Sequence, residues 1–299
     1  MENKYDVVFA SDENYIQHLA VAMKSLLQNN KDLTFNIYII NGGITQEAWM
    51  KLRKISSLHK AELIDILIDD SIFKSFVTNH HFTKAMYYRL LIPNFINSNK
   101  VLYLDADIII NGNIKELYDI TLDDYYLAAV ESPEFKRANE LNMKKSSKYF
   151  NSGIMLINNK KWKTSKLSKN VINYVNEYRK IIKFPDQDAL NGVIDGDWKQ
   201  LPLKYNQQAI IFDNEFEDNY DCFSEQELLE AKQNPTIIHY TGSSKPWHFR
   251  NHHPYKYLYW NYLRRTPFKW YIPEDLTIVN IVKGMIPDRL KKIIKLQNS

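Results

Sequence analysis

The stretch KVLYLDADIIINGNIKEL, residues 100–117, sets two carboxylates, Asp105 and Asp107, within a run of Val, Leu, Tyr and Ile. The apolar run predicts a buried β-strand. A carboxylate in apolar surroundings is strongly destabilising unless a cation or hydrogen bonds meet it. Residues i and i+2 of a strand lie on one face, so both side chains can reach a single divalent cation. A pair of turn or capping aspartates at a strand end is the alternative interpretation.

Strand and helix patterns alternate along the half of the chain that leads up to this stretch. Apolar residues at helical spacing separate four strand-like runs, at residues 5–10, 35–40, 61–68 and 100–110. This alternation predicts an α/β fold with a Rossmann-like, mostly parallel central sheet and helices on both faces. Ligands of such sheets bind beyond the carboxyl ends of the strands. We therefore expect Asp12, directly after the first strand, to face the same crevice as Asp105 and Asp107.

The second half of the chain is less regular. Helices are predicted there at residues 165–182 and after the segment FPDQDALNG, and strands at 126–130, 152–157 and 236–240, whereas the helix predicted at residues 87–95 precedes the fourth strand of the first half. We find no internal repeat and no low-complexity linker that would divide the chain.

The charge of the chain is unevenly distributed. The net charge is +4, but residues 245–299 carry 11 Lys/Arg against 3 Asp/Glu, which leaves −4 on the first 244 residues. A basic end of this kind is typical of binding to nucleic acid or to an anionic membrane surface. The single Cys222 can form no intrachain disulfide, no leader pattern precedes the first strand, and no apolar run could span a bilayer, so we expect a cytoplasmic protein.

The run HYTGSSKPWH, residues 239–248, combines groups that suit a phosphorylated ligand. His239 follows a predicted strand and offers an imidazole, Gly242 permits close backbone approach, and Lys245 supplies a point charge suited to phosphate. A lone histidine at a strand end is more often structural. His, Gly and Lys spaced three apart and followed by Pro-Trp favour a functional site.

A phosphatase of the haloacid dehalogenase type is a second interpretation of Asp105 and Asp107. Its DxDx(T/V) loop also follows an apolar strand, with the first Asp as nucleophile and the second as acid. Ile109 stands where that pattern requires Thr or Val. The sequence therefore disfavours this interpretation.

Six segments of the chain resemble the glycosyltransferases of family 8, which are retaining enzymes with the GT-A fold. In chain order the segments are VVFASDENY, MYYRLLIP, KVLYLDADIIING, YFNSGIMLIN, FPDQDALNG and HYTGSSKPWH. Within that family the chain resembles the bacterial lipopolysaccharide galactosyl- and glucosyltransferases. The resemblance implies a GT-A catalytic domain at residues 1–250, which binds nucleotide sugar and acceptor. Residues 251–299 are expected to form a small helical, basic and aromatic segment.

The resemblance also implies which residues bind the nucleotide sugar. It places Ala10, Asp12 and Asn14 at the uracil and ribose, with Tyr15 near the base. A plain helix cap is the alternative role of Asp12. The remaining positions expected to contact the donor are His81, Arg89, Asp105, Ala106, Asn151, Asp186, Gln187, Gly242 and Lys245. A structural salt bridge is the alternative for Arg89.

A metal and a mechanism follow from the same resemblance. It makes Asp105, Asp107 and His239 ligands of Mn²⁺, with Mg²⁺ as the alternative, because Mn²⁺ accepts imidazole more readily. The ion neutralises charge on the departing UDP. Asp186 and Gln187 are expected to be catalytic, with Gln187 near the reacting face of the anomeric carbon. Since an amide is a poor nucleophile, we expect the acceptor hydroxyl to attack on the face that UDP leaves, without the carboxylate nucleophile of retaining hydrolases.

These assignments predict a metal-dependent retaining transferase that moves galactose or glucose from its UDP carrier to a glycan acceptor, such as lipooligosaccharide or another cell-surface glycoconjugate. Acceptor recognition departs from the family pattern, because Ser132, beside Glu131, stands where close relatives have an acidic residue. A glycogenin-like self-glucosylating protein and a non-catalytic UDP-sugar-binding protein are the alternatives. Nucleic acid is not expected as a partner.

The C-terminal end predicts peripheral attachment to the anionic inner face of the cell membrane. The segment DRLKKIIKLQ places Leu290, Ile293 and Ile294 on one helical face and its basic residues largely elsewhere, the pattern of an interfacial helix. Trp247, Trp260 and Trp270 are expected to contribute. The alternative is a helix packed against its own domain or a partner subunit.

Overall fold

The apolar runs of the sequence form the strands of two sheets. The computed structural model describes residues 4–74, 76, 83–213, 216, 222–273 and 275–285. Over these residues the strands are β1 Lys4–Ser11, β2 Thr34–Asn41, β3 Ala61–Leu67, β4 Lys100–Leu104, β5 Ile108–Ile110, β6 Leu127–Ala129, β7 Ile154–Asn158, β8 Lys199–Gln200, β9 Gln207–Gln208 and β10 Ile237–His239.

Helices connect these strands and cover the sheets. The α-helices are α1 Ile16–Asn29, α2 Gln46–Ser56, α3 Ile92–Phe95, α4 Lys115–Asp119, α5 Asn159–Thr164, α6 Leu167–Glu177, α7 Pro185–Ile194, α8 Glu225–Gln233, α9 Lys256–Leu263 and α10 Ile278–Met285. Shorter 3-10 helices lie at Glu13–Tyr15, Asp70–Phe73, Lys84–Leu91, Leu203–Tyr205 and Ala209–Phe212.

The large sheet confirms the predicted α/β architecture. Among the described residues it has seven strands in the order β3-β2-β1-β4-β7-β6-β8. β3, β2, β1 and β4 run parallel to one another, whereas β7 runs antiparallel to both β4 and β6. Both faces of β1 are buried, since Val7 and Phe9 join one core with α1 and α2 while Val8 joins the other with α5, α6 and α7. Helices thus cover both faces of a mostly parallel sheet.

The single strand predicted over residues 100–110 is wrong, because the chain leaves one sheet there and enters another. β4 ends at Leu104, and β5 pairs antiparallel with β10 in a separate sheet of order β5-β10-β9. The Asp105 N–H still donates to the Gly153 carbonyl (2.8 Å), but the Asp107 carbonyl accepts from Tyr240 of the other sheet (3.1 Å). The two carboxylates therefore lie at the junction of the sheets and do not share a strand face.

Three helix predictions need adjustment at their ends. The helix expected at residues 87–95 is the 3-10 helix Lys84–Leu91 followed by α3, which has Pro93 in its first turn, where proline is tolerated. The segment FPDQDALNG is not followed by a helix but itself forms α7. α6 is shorter than the predicted span of residues 165–182.

The C-terminal segment packs against α1 as far as α9. Tyr259, Tyr262 and Leu263 of α9 form a buried cluster with Val21 of α1 and Trp247. Hydrogen bonds reinforce this contact, since Asn29 of α1 donates to the Tyr262 hydroxyl (2.7 Å). This part of the segment is a helix packed on its own domain, the alternative considered for it above. Residues 286–299, which include DRLKKIIKLQ, lie outside the described part of the chain.

A buried ion pair fixes the loop that follows β6 to the start of α7, and its removal should destabilise the protein. Asp188 is fully buried and accepts from Arg137 Nε (2.9 Å), the Tyr149 hydroxyl (2.7 Å) and the backbone N–H groups of residues 183 and 184. Asp188→Ala leaves the Arg137 charge buried without this partner, so we expect the free energy of unfolding in urea to fall by about 3–5 kcal/mol. Glu140→Ala is the matched control, because it removes the exposed carboxylate on the same guanidinium. A similar loss of stability in both variants would contradict the assignment.

Candidate active site

Two carboxylates and an imidazole converge where the two sheets meet. One ligand atom from each of Asp105, Asp107 and His239 lies within 4.8 Å of the others. His239 Nε2 is 3.4 Å from Asp107 Oδ1 and 3.9 Å from Asp105 Oδ2. Antiparallel pairing sets His239 opposite Ile108, the residue after Asp107, so β10 delivers the imidazole to the carboxylates. Two carboxylate oxygens and one imidazole nitrogen form a donor set that suits Mn²⁺.

The environments of the two carboxylates differ. Asp105 Oδ1 accepts from Arg89 Nη2 (2.8 Å) and the Tyr103 hydroxyl (2.7 Å), yet burial raises the pKa of Asp105 above its ordinary value. Burial also acts to raise the pKa of Asp107, but the charge of Lys245 and the hydrogen bond with His239 outweigh it and hold that pKa below its ordinary value. Asp107 is therefore the more firmly ionised of the pair.

Arg89 joins the metal-ligating end of the site to the expected sugar pocket. Its side chain is almost completely buried, with Nη2 on Asp105 and Nη1 3.1 Å from Asp186 Oδ2. Nη1 also donates to the Ser152 carbonyl (2.8 Å). The alternative of a salt bridge therefore describes the geometry of Arg89 correctly, while its contact with the donor stays a prediction.

The first turn of α7 presents Asp186 and Gln187 beside the turn that leads into β7. Gln187 Oε1 accepts from the Ser152 N–H (3.0 Å), and its Nε2 donates to the Tyr149 hydroxyl (3.3 Å). Asp186 Oδ2 accepts from the Ser152 hydroxyl (2.8 Å). Asn151 lies in the same turn, where its Oδ1 accepts from the Gly153 N–H (3.0 Å). Asp186 and Gln187 are thus hydrogen-bonded to Ser152, the residue next to Asn151.

The residues expected at the nucleotide lie at the end of β1. Asp12 caps the 3-10 helix that follows, because its Oδ1 accepts from the Asn14 N–H (3.0 Å), so the capping role is present. The Tyr15 ring packs edge-on against Trp247, with centroids 5.8 Å apart. Burial raises the pKa of Tyr15, and the nearby charges of Asp107, Asp12 and Asp105 raise it further. Tyr15 therefore lies within electrostatic reach of the two carboxylates. His81, the remaining expected contact, lies outside the described residues.

The HYTGSSKPWH loop reaches the site through Lys245. Its Nζ lies 2.5 Å from Asp107 Oδ2 and donates to the Tyr240 carbonyl (2.7 Å). Gly242 has a φ of +82°, and a Cβ there would have no neighbour within 4 Å. Backbone conformation rather than crowding therefore accounts for this glycine in the described structure. Ala106, between the two carboxylates, is buried.

Ser132, which stands where close relatives are expected to have an acidic residue, lies inside the fold. This residue is fully buried, and its hydroxyl donates to Gln208 Oε1 (2.5 Å). The neighbouring Glu131 pairs with Lys148 (2.6 Å). The departure from the family pattern noted in the sequence is therefore also a structural one.

Two residues of the site escaped the sequence reasoning. Asn206 is fully buried, and its Oδ1 lies 3.0 Å from His239 Nδ1. Gly153 packs so closely under the site that a Cβ there would lie 2.2 Å from His239 Cε1 and 2.7 Å from Asp105 Oδ2. Gly153 stands in the segment YFNSG, so the motif gave a signal for it, whereas Asn206 lies in none of the six family segments.

Comparison with known proteins identifies the class as glycosyltransferases with the GT-A fold. A crystal structure of the galactosyltransferase LgtC in complex with donor and acceptor sugar analogues matches with a TM-score of 0.79 and 25% identity, over 90% of this chain and 98% of that chain. The model of glycosyl transferase family 8 matches residues 6–251, and the chain belongs to that family. The family resemblance read from the six segments is thereby confirmed.

Curated relatives agree with this assignment. General stress protein A of Bacillus subtilis (strain 168) is 31% identical over 271 residues, which are 88% of this chain and 94% of that protein. Lipopolysaccharide 1,2-glucosyltransferase of Escherichia coli is 32% identical over 252 residues, 82% of this chain and 73% of that protein.

Gly153→Ala should disable the site without unfolding the protein. The added methyl group must displace the His239 ring or the Asp105 carboxylate, and a displacement of about 1 Å at a catalytic group lowers the rate on the order of a hundredfold. Sugar transfer and melting temperature are measured together. Gly112→Ala is the control, because its Cβ would have its nearest neighbour, Thr236, at 3.4 Å. Full activity of Gly153→Ala would show that this packing is not required.

Proposed function

We propose that this protein is a metal-dependent, retaining glycosyltransferase that moves galactose or glucose from a UDP-sugar to a glycan acceptor. The observation that carries the proposal is the convergence of Asp105, Asp107 and His239 with Asp186 and Gln187. The names of two relatives, a lipopolysaccharide glucosyltransferase and a galactosyltransferase solved with donor and acceptor analogues, support a hexose donor and a saccharide acceptor.

The proposed ion is Mn²⁺, with Mg²⁺ as the alternative, held by Asp105, Asp107 and His239. The residues fit such an ion because one ligand atom of each lies within 4.8 Å of the others. Asp105 is free to ligate through Oδ2, since Arg89 and Tyr103 occupy its Oδ1. A divalent ion there would neutralise charge that develops on the departing diphosphate. Lys245, which already contacts Asp107, would add a second positive charge to the diphosphate site.

The chemistry of the sugar pocket favours attack by the acceptor hydroxyl on the face that UDP leaves. Gln187 offers an amide where a covalent mechanism needs a carboxylate. Asp186 is a carboxylate, but it is buried, and its Oδ2 is engaged both by Arg89 and by the Ser152 hydroxyl. We assign to Asp186 and Gln187 the role of orienting the hexose. The proton of the attacking hydroxyl passes to an oxygen of the leaving diphosphate.

Release of UDP across a panel of nucleotide sugars tests the proposed reaction. We expect release with UDP-galactose or UDP-glucose and Mn²⁺, inhibition by a chelator, and a product whose anomeric configuration, read by NMR, matches the donor. Asp107→Ala should lower turnover on the order of a hundredfold or more, because it removes a charge that holds the ion. Asp119→Ala, on the exposed ion pair with Lys115, is the control.

Three other outcomes would redirect the assignment. Turnover that persists in the presence of chelator would contradict the metal. UDP-sugar binding without UDP release would indicate a non-catalytic protein. A mass increase of the protein itself after incubation with UDP-glucose would indicate self-glucosylation.

We also propose that the C-terminal segment attaches the enzyme to an anionic membrane surface, the inner face of the cell membrane in a cytoplasmic protein. Within the described residues, every helix falls short of the length and apolarity needed to cross a bilayer. Large apolar side chains are nevertheless exposed along the chain beyond α9, and we take them together as an apolar patch: Trp270, Ile272, Leu276, Ile278, Val279 and Val282. Exposed basic residues adjoin it at Arg264, Arg265 and Lys269. Trp247 is buried and stacks on His18, so its expected role at a membrane is wrong.

Sedimentation with lipid vesicles tests this attachment. Apolar anchors and basic residues act together at an anionic surface, so Trp270→Ala with Ile272→Ala should weaken binding to anionic vesicles but leave UDP release unchanged. Met50→Ala with Leu58→Ala is the matched control, since these apolar side chains are exposed on and after α2. Equal binding by both double variants would exclude this patch as the membrane contact.

A further inference from the structure

We propose that Asn206 is a positioning residue that holds the Nδ1 proton of His239 and thereby keeps Nε2 as the nitrogen that binds the cation. The inference rests on the proposed metal site and adds to it a residue from outside the family segments. Nε2 is the ring nitrogen that faces Asp107 (3.4 Å), while Nδ1 faces Asn206 Oδ1 (3.0 Å).

The direction of each hydrogen bond follows from one backbone group. The Gly153 N–H can only donate, so the Asn151 atom 3.0 Å away is its carbonyl oxygen. The Asn206 atom that meets this oxygen at 2.9 Å must then be the amide nitrogen, which turns the Asn206 carbonyl toward His239. A carbonyl only accepts, so Nδ1 carries a proton. The assignment does not depend on distinguishing the oxygen and nitrogen of either amide by other means.

The backbone around Asn206 keeps the amide in place. Asn206 is fully buried, and its N–H donates to the Leu203 carbonyl (3.0 Å) at the end of a 3-10 helix. The next two residues form β9, which pairs with β10 so that Gln208 lies beside His239. The donor His239 therefore ends β10 and the acceptor Asn206 directly precedes the neighbouring strand β9, so the pairing of the two strands sets their separation.

Loss of the Asn206 carbonyl would favour the wrong tautomer. A neutral imidazole without an acceptor at Nδ1 places its proton on Nε2, where Asp107 can accept it. With a proton on Nε2, the lone pair of that nitrogen would no longer be available to bind the cation. The expected effect is a weaker metal site, as is usual when the partner of a metal-ligating histidine is removed.

The tautomer of His239 can be read directly by long-range ¹H–¹⁵N NMR of the full chain with labelled histidine, at one fixed pH and without metal. His239→Gln assigns the resonance. We expect Nδ1 to be protonated in the unmodified protein and in Asn206→Asp, which keeps an acceptor of similar size. In Asn206→Leu we expect the Nε2–H form to appear. Asn159→Leu is the matched control, because Asn159 is equally buried but bonds to the Ile96 and Ser98 carbonyls, which precede β4, whereas Asp105 follows that strand.

Binding of Mn²⁺, followed by the EPR signal of the free ion, supplies the second readout. Asn206→Leu should bind Mn²⁺ about 10–100-fold more weakly than the unmodified protein, and Asn159→Leu should bind it equally well. An unprotonated Nδ1 in the unmodified protein would overturn the inference even if no variant folds. So would an unchanged tautomer and affinity in Asn206→Leu. If the unmodified protein binds no Mn²⁺, the proposed metal fails, and the NMR spectra still decide the role of Asn206.

Discussion

A shortage of positive charge among three neighbouring carboxylates governs this site. Asp105, Asp107 and Asp186 carry three negative charges, against which Arg89 and Lys245 set two positive ones, so one formal negative charge remains. Charges removed from water are stable only when they are paired and hydrogen-bonded. The arrangement therefore favours a further cation at the junction of the sheets, and Arg89 links the candidate metal ligand Asp105 to Asp186.

Backbone groups hold the polar side chains of the site before any substrate arrives. The Ser152 N–H fixes the carbonyl end of Gln187, and the Gly153 N–H fixes the amide of Asn151 and, through it, that of Asn206. Both donors lie in the turn before β7, which the hydrogen bond from Asp105 ties to the end of β4. Groups oriented by rigid elements need no reorganisation during the reaction, which is the usual basis of electrostatic catalysis.

The C-terminal part of the chain supports the site from the other side. Trp247 stacks on His18 of α1, with ring centroids 3.5 Å apart, and burial lowers the pKa of His18 to about 3, so the stacked imidazole is neutral. Asn251 donates to the Ser244 carbonyl (3.0 Å). These contacts anchor the loop that carries Lys245 to the first helix.

Sequence alone determined the alternation of strands and helices in the first half of the chain, because hydrophobic period is a local property. Residue type and spacing singled out Asp105, Asp107 and His239, and the resemblance to family 8 then grouped the three as ligands of one ion. The break between β4 and β5, the close packing of Gly153 and the hydrogen bond from His239 to Asn206 were decided by the tertiary structure. Each depends on the antiparallel pairing of β5 with β10 or on the contact between the two sheets, and such long-range contacts leave no period in the sequence.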